Sequence, residues 1–297
     1  MEPLQQPVDQ GWPRARRAGD ELWPAGDDVI SVAVDPVAFW LGGFAIRWYG
    51  LFAIAAAGVA FVLVRRGTRR AGIPDALVAD GAVWVGVTAV IGGRALYVIQ
   101  NELPVVLVNP LHAFAIWHGG LSFYGGLAAG LVALWLFARR NGLVFAGIAD
   151  IAAPAVAAGQ AIGHIGCFVG GDSYGLPTSL PWAVTYSNPG AMAPLGVALH
   201  PTQLYEAAAL ALLAGTLIAV RGPLARLGAG AMAATYLVGL AAIRFVLFFY
   251  RDDVVVLGGL KVAQVIGLGI AVVGLLWLMR LVLTRTTATA RRSEVLS

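Results

Sequence analysis

Residues 76–99 read ALVADGAVWVGVTAVIGGRALYVI, an apolar stretch of membrane-crossing length with Asp80 near one end and Arg94 near the other. A spanning helix needs about 20 mostly apolar residues, so the stretch reads as a transmembrane helix. Working outward from it, six more stretches qualify: roughly 42–64, 120–138, 148–170, 201–220, 228–250 and 260–282. Glycine and proline recur inside them, which membrane helices tolerate. The composition agrees. The chain is 59% hydrophobic and only 12% charged, too little charge to clothe a soluble core, since soluble domains average about 25% charged residues. The expected fold is therefore all-α: a polytopic membrane protein of seven transmembrane helices with interfacial outer segments.

The loops orient the spans. Arg65, Arg66, Arg69 and Arg70 follow the first, Arg139 and Arg140 the third, Arg221 and Arg226 the fifth, and Arg280, Arg285, Arg291 and Arg292 the last. The intervening loops are poor in basic residues. The positive-inside rule then places the N-terminus outside and the C-terminus in the cytoplasm. The expected organisation is a polar, disordered N-terminal extension over 1–35, a seven-helix domain over 36–282, and a basic cytoplasmic tail over 283–297. The net charge of +4 lies in these loop clusters, and no basic, aromatic block suggests nucleic acid. The single cysteine, Cys167, excludes an internal disulfide, and no His/Cys cluster has zinc spacing. Two outer connections, roughly 100–119 and 171–200, are long and rich in Pro, Trp and Tyr. They suit short amphipathic elements lying at the interface.

Charged residues inside a span are costly and point to function. Their depths converge. Arg47 and Tyr49 fall a turn or two inside the outer end of the first span. Arg94 and Tyr97 fall near the outer end of the second, Tyr124 of the third, His164 in the outer half of the fourth. His200, Gln203, Tyr205 and Glu206 open the fifth, and Arg244 lies in the outer third of the sixth. One arginine near a helix end can simply snorkel to water. Arg47, Arg94 and Arg244 on three spans, level with Glu and His, point instead to an anionic phospholipid, because arginine binds phosphate in bidentate fashion. The polar residues stop in the outer half and trace no path across, which argues against a transporter. Glycine pairs such as Gly92-Gly93, Gly125-Gly126 and Gly170-Gly171 recur at the same level, for close helix packing or for a ligand.

Several short motifs now resemble, in order, those of the prolipoprotein diacylglyceryl transferases. GHIGCFVGGDSYG at 163–175 resembles that family's signature GRxGNFxNxExxG. IRWYGL at 46–51, GGR at 92–94, GGLSFYGG at 119–126, IAD at 148–150, APAV at 153–156, HPTQLYEA at 200–207 and RF at 244–245, with Arg251 later, resemble its other motifs. The resemblance covers roughly 35–280. It implies an enzyme of the bacterial inner membrane that moves a diacylglyceryl group from phosphatidylglycerol to the lipobox cysteine of a prolipoprotein, with no cofactor and no metal. It also implies that Tyr49, Arg94, His164, Gly166, Asp172, Gly175, Arg244 and Arg251 bind the lipid or its phosphate, and that His200, Gln203, Tyr205 and Glu206 support the site.

The sequence departs from the pattern at several positions. His164 stands for the signature Arg, Cys167 for its Asn, Asp172 for its Glu, Tyr124 for a His, Leu240 for a Tyr and Phe248 for a Glu. Candidate catalytic residues are therefore His118, His164, Tyr124 and Arg244. His118, six residues before Tyr124, is either a replacement base or an interfacial histidine beside Trp117. His164 could bind phosphate when protonated or act as base when neutral. Asp172 is expected to orient Arg244, and Cys167 to be a small buried side chain. Two other readings stay open: a paralogue acting on a different lipid or acceptor, and a non-catalytic lipid-binding protein.

Overall fold

The computed structural model describes residues 29–115 and 120–295. Each expected span carries a helix: α1 (Trp48–Arg70), α2 (Asp75–Tyr97), α4 (Phe123–Arg140), α5 (Phe145–Gly170), α6 (Thr202–Ala219), α8 (Ala231–Leu247) and α9 (Val262–Val295). A π-helical turn, Val98–Glu102, continues α2 into a short α3, Leu103–Val108, and a 3-10 turn follows at Pro110–Phe114. A five-residue α7, Arg221–Ala225, links α6 to α8. Among the described residues, five helical stretches are long and apolar enough to cross a membrane, namely Trp48–Arg70, Asp75–Val108, Phe145–Gly170, Thr202–Ala219 and Val262–Thr286. Ala231–Leu247 is apolar but shorter. α9 runs on through the basic segment read as a tail.

Helix α5 is central: it packs on α1, α6 and α8, while α2 pairs with α4 and α8 with α9. Its inner face is a run of small residues. Ala153, Ala157 and Ala161 meet Leu210, Ala214 and Leu217 of α6 and Tyr236 and Leu240 of α8. The Tyr236 hydroxyl donates to Gln160 Oε1 at 2.9 Å, which satisfies both groups inside this apolar seam. The α2–α4 pair rests on glycine: a Cβ at Gly92 would stand 2.7 Å from the Gly125 carbonyl oxygen. These glycine pairs therefore serve helix contact.

The helices alternate between two ends. At the basic end, Arg65 and Arg69 both hold the Asp75 carboxylate across the α1–α2 turn. There Asp150 of α5 caps α8: its oxygens accept from the amides of Gly230 at 2.7 Å and Ala233 at 2.9 Å. A carboxylate at a helix N-terminus satisfies orphan donors and complements the helix dipole.

The other end carries short β elements beside the helices. Residues 37–47 form a hairpin of β2 (Val37–Leu41) and β3 (Phe44–Arg47) rather than the start of the first span. Its two-residue turn is Gly42-Gly43, with φ of +55° and +87°. Two-residue hairpin turns of type I′ need positive φ at both positions, which glycine supplies without strain. Arg47 is consequently the residue before α1, and Tyr49 lies in its first turn. A second correction concerns the N-terminal extension. β1 (Ile30–Val32) pairs in parallel with β4 (Val184–Tyr186), so the extension is ordered at its end, where Val32 is buried. Residues 171–200 likewise form a cap with a small core of Val32, Val184, Tyr186, Ala193 and Leu199. A second hairpin, β5 (Val255–Leu257) with β6 (Leu260–Lys261), leads into α9.

Candidate active site at one end of the bundle

The site is built where α5 and α8 end and α6 begins. Helix α5 stops at a glycine C-cap: Gly171 has φ of +72°, its amide donates to the Phe168 carbonyl, and the Asp172 amide donates to Cys167. This pairing is a Schellman motif, and it turns the chain sharply after the signature. The turn is then stitched to α6. Gln203 Nε2 donates to the Asp172 carbonyl at 2.7 Å, and the Thr202 hydroxyl to the Ser173 carbonyl at 3.0 Å. Tyr186 donates to the Phe168 carbonyl at 2.8 Å, and burial pushes its phenol up, so it remains a donor. Trp182 Nε1 donates to the Tyr205 hydroxyl at 2.7 Å, and that hydroxyl stands 3.4 Å from His200 Nδ1. Burial lowers the His200 pKa, favouring the neutral ring.

These stitches fix Glu206, one turn into α6 and 1% exposed. Its Oε1 accepts from Arg251 Nη1 at 3.1 Å, and its Oε2 lies 3.1 Å from His164 Nε2. The second contact has ion-pair distance without hydrogen-bond alignment, and among the described residues neither Glu206 Oε2 nor His164 Nδ1, both buried, has a hydrogen-bond partner. A carboxylate is buried only when paired, and here a guanidinium and an imidazole share it. Arg244 and Asp172 lie within electrostatic reach of the same histidine.

Phe248, 2% exposed, sits between the two arginines: the guanidinium carbon of Arg251 lies 4.7 Å from its ring centroid and that of Arg244 5.7 Å. Arginine stacks well on an aromatic face. Arg244 also lines a small apolar cavity with Tyr124, Leu127, Leu240 and Ala241, closed by Ala263, Ile266, Gly267 and Ile270 of α9. The structure thus brings together His164, Glu206, Arg251, Arg244 and Tyr124, and Tyr49 lies within electrostatic reach of Cys167 and Asp172. His118 lies outside the described residues.

Other sequence candidates play different parts. Arg94 is 6% exposed and pins the loop after α2: it donates to the carbonyls of Ala113, His112 and Gly120 and to Glu102 Oε2 at 2.8 Å. These bonds tie its guanidinium to the chain around it. Gly166 and Gly175 are places of close approach. A Cβ at Gly166 would stand 2.7 Å from Phe52 Cβ, and one at Gly175 2.6 Å from the His200 carbonyl oxygen. Asp172 enters the network through its carbonyl, and the carboxylate that holds an arginine is that of Glu206.

The residues that sequence reasoning missed are Lys261 and Gln264, both buried at the start of α9. A lysine opening an apolar span carried the same signal as the arginines, a charge placed at the edge of the bilayer.

A helical bundle with several membrane-length apolar helices, and with a buried carboxylate, two arginines and a histidine at one end beside an apolar cavity, is an integral-membrane protein with a polar site. Comparison with known proteins narrows this. The family model described as prolipoprotein diacylglyceryl transferase matches residues 36–280, and the chain belongs to that family. Curated relatives bear the name phosphatidylglycerol–prolipoprotein diacylglyceryl transferase. One from Solidesulfovibrio magneticus is 41% identical over 175 residues, covering 58% of this chain and 65% of the relative. One from Vibrio cholerae serotype O1 is 34% identical over 261 residues, covering 83% and 91%. One from Ruegeria pomeroyi is 36% identical over 225 residues, covering 70% and 76%.

Proposed function

We propose that this chain transfers a diacylglyceryl group from phosphatidylglycerol to the lipobox cysteine thiol of prolipoproteins. It would do so in a bacterial inner membrane, crossing it seven times with the N-terminus outside and the C-terminus in the cytoplasm. The observation that carries the reading is the buried Glu206, holding Arg251 on one side and facing His164 on the other, with Arg244 and Tyr124 beside them. The curated relatives' shared name supplies the substrates.

In the reaction the cysteine sulfur forms a bond to the glyceryl carbon as that carbon's bond to the phosphate oxygen breaks. Glycerol phosphate leaves with the bonding electron pair. The thiolate is the nucleophile, so a base must take the thiol proton. His164 suits the task. Its Nε2 lies 3.1 Å from the Glu206 carboxylate, which would stabilise the imidazolium formed when the ring takes the thiol proton. His118 is the other candidate base. Arg244 and Arg251 stabilise the charge that grows on the departing phosphate, and Glu206 holds Arg251 in place for it. Tyr124, opening α4 across the cavity from Arg244, lines the donor's path, and Tyr49 lines the pocket at the start of α1. Arg94 contributes by fixing the loop over 98–115.

A second reading, a paralogue with another lipid donor or acceptor, is favoured by Phe248. Where the resemblance expects Glu, both guanidiniums stand against an aromatic ring. Complementation separates the two readings. In bacteria depleted of their own transferase, this chain should restore growth and lipoprotein processing, and Arg244→Ala and His164→Ala should abolish the rescue. Full rescue by both variants would overturn the site assignment; absence of rescue by well-expressed wild-type chain would favour the paralogue.

A further inference from the structure

Helix α8 ends at Leu247, and the chain then turns through residues 248–252 before the β5–β6 hairpin. The last carbonyls of a helix have no intrahelical partner. Here two of them are taken by the start of α9. Gln264, 0% exposed, donates through Nε2 to the Phe245 carbonyl at 2.8 Å. The Lys261 ammonium, on a residue 8% exposed, donates to the Phe248 carbonyl at 2.6 Å and to the Arg251 carbonyl. Gln264 Oε1 in turn accepts from the Lys261 amide at 2.9 Å, so the pair forms one unit. From the opposite side the turn is held by main chain: the Leu176 amide donates to the Tyr250 carbonyl at 2.8 Å, and the Asp252 amide to the Tyr174 carbonyl at 3.2 Å. A buried ammonium is costly unless its donors are used, and a cation at a helix C-terminus is favoured by the dipole. Both conditions are met.

The turn held this way carries Phe248 and Arg251. Their side chains form the stack on Arg244 and the ion pair to Glu206 that faces His164. We infer that Lys261, with Gln264, is a positioning residue for the reaction. It fixes the 248–251 turn so that Arg251 meets Glu206 and the phosphate at once, and it acts through Arg251 rather than by touching substrate. This inference rests on the transferase reading. A displacement of about 1 Å at a positioned catalytic group can cost on the order of 100-fold, which sets the expected size.

The test is a double-mutant cycle on the purified full chain, with phosphatidylglycerol and a lipobox peptide. Lys261→Met should lower kcat/KM roughly 10- to 100-fold in the wild-type background. In the Arg251→Ala background it should change the rate by less than about 2-fold, as expected when two residues act as one unit. Lys261→Gln, which keeps one donor, should fall between wild type and Lys261→Met, and serves if the methionine variant does not fold. A fully active folded Lys261→Met, or equal losses in both backgrounds, would overturn the inference. Wild-type transfer is scored separately, so a failed transferase reading appears as inactive wild type and not as a flat cycle. In that event retention of phosphatidylglycerol by native mass spectrometry takes the place of rate. Loss in Lys261→Met only when Arg251 is present supports positioning, and equal retention by wild type and Lys261→Met overturns it.

Discussion

Replacing Glu206 by alanine removes the one carboxylate that both Arg251 and His164 face, and the structure sets the size of the effect. Glu206 is 1% exposed, and the two contacts are each 3.1 Å. Removing one member of a buried ion pair leaves the other charged and desolvated, at a cost of about 3–5 kcal/mol. For chains of about 150–250 residues, 1 kcal/mol moves Tm by roughly 2–4 °C. Glu206→Ala should therefore lower Tm by about 6 °C or more, measured by tryptophan fluorescence in one detergent at one lipid content. Glu206→Gln keeps the volume and an acceptor for Arg251, and should lose less. The decisive comparison is Glu206→Ala/Arg251→Ala. With the stranded cation also gone, the double variant should be more stable than the sum of the singles predicts, by about 0.5–3 kcal/mol, the usual range for contacting residues. A Glu206→Ala variant with unchanged Tm, or strict additivity in the double, would refute the reasoning.

Three further outcomes follow from other parts of the fold. Arg94→Ala should expose the 98–115 segment to limited proteolysis, and Arg94→Lys should restore little protection, because an ammonium cannot serve three carbonyls and a carboxylate from one planar fork. Gly92→Val should destabilise the α2–α4 pair by about 1–3 kcal/mol or prevent its assembly, seen as a fall in Tm, since its Cβ would stand 2.7 Å from the Gly125 carbonyl oxygen. Burial lowers the folded-state pKa of His200, so the stability it contributes is complete above its unfolded value of about 6.5 and is lost as pH falls through the folded value. A Tm-versus-pH profile should show this decline in wild type and a flatter one in His200→Gln.

The spans were legible because lipid imposes one simple requirement, a run of apolar residues long enough to close its own hydrogen bonds. Boundaries were less so. The hairpin at 37–47 is as apolar as a span, with Phe39, Trp40, Leu41 and Phe44 all exposed, and only the Gly42-Gly43 pair signalled it. The convergence of Arg, His, Tyr and Glu at one depth was legible because buried charge is expensive. Which of them meet was not, since depth says nothing about rotation around a helix axis. Arg94 and Arg244 share a depth. The first points into the loop after its own helix, and the second towards α4 and α9. Likewise Glu206 and His164 are 42 positions apart in the numbering, and only the α5–α6 packing sets them 3.1 Å apart. Lys261 was readable by the same rule that flagged the arginines. Its partners, two main-chain carbonyls, leave no mark in a sequence.

The most direct test of the central claim is transfer in vitro. Purified chain is incubated with phosphatidylglycerol and a lipobox peptide, and the peptide mass is read before and after. The account predicts a gain of one diacylglyceryl group on the cysteine, matched by release of glycerol phosphate and absent from a peptide carrying Ser in place of that Cys. Folded, lipid-bound protein that leaves the peptide mass unchanged would contradict it.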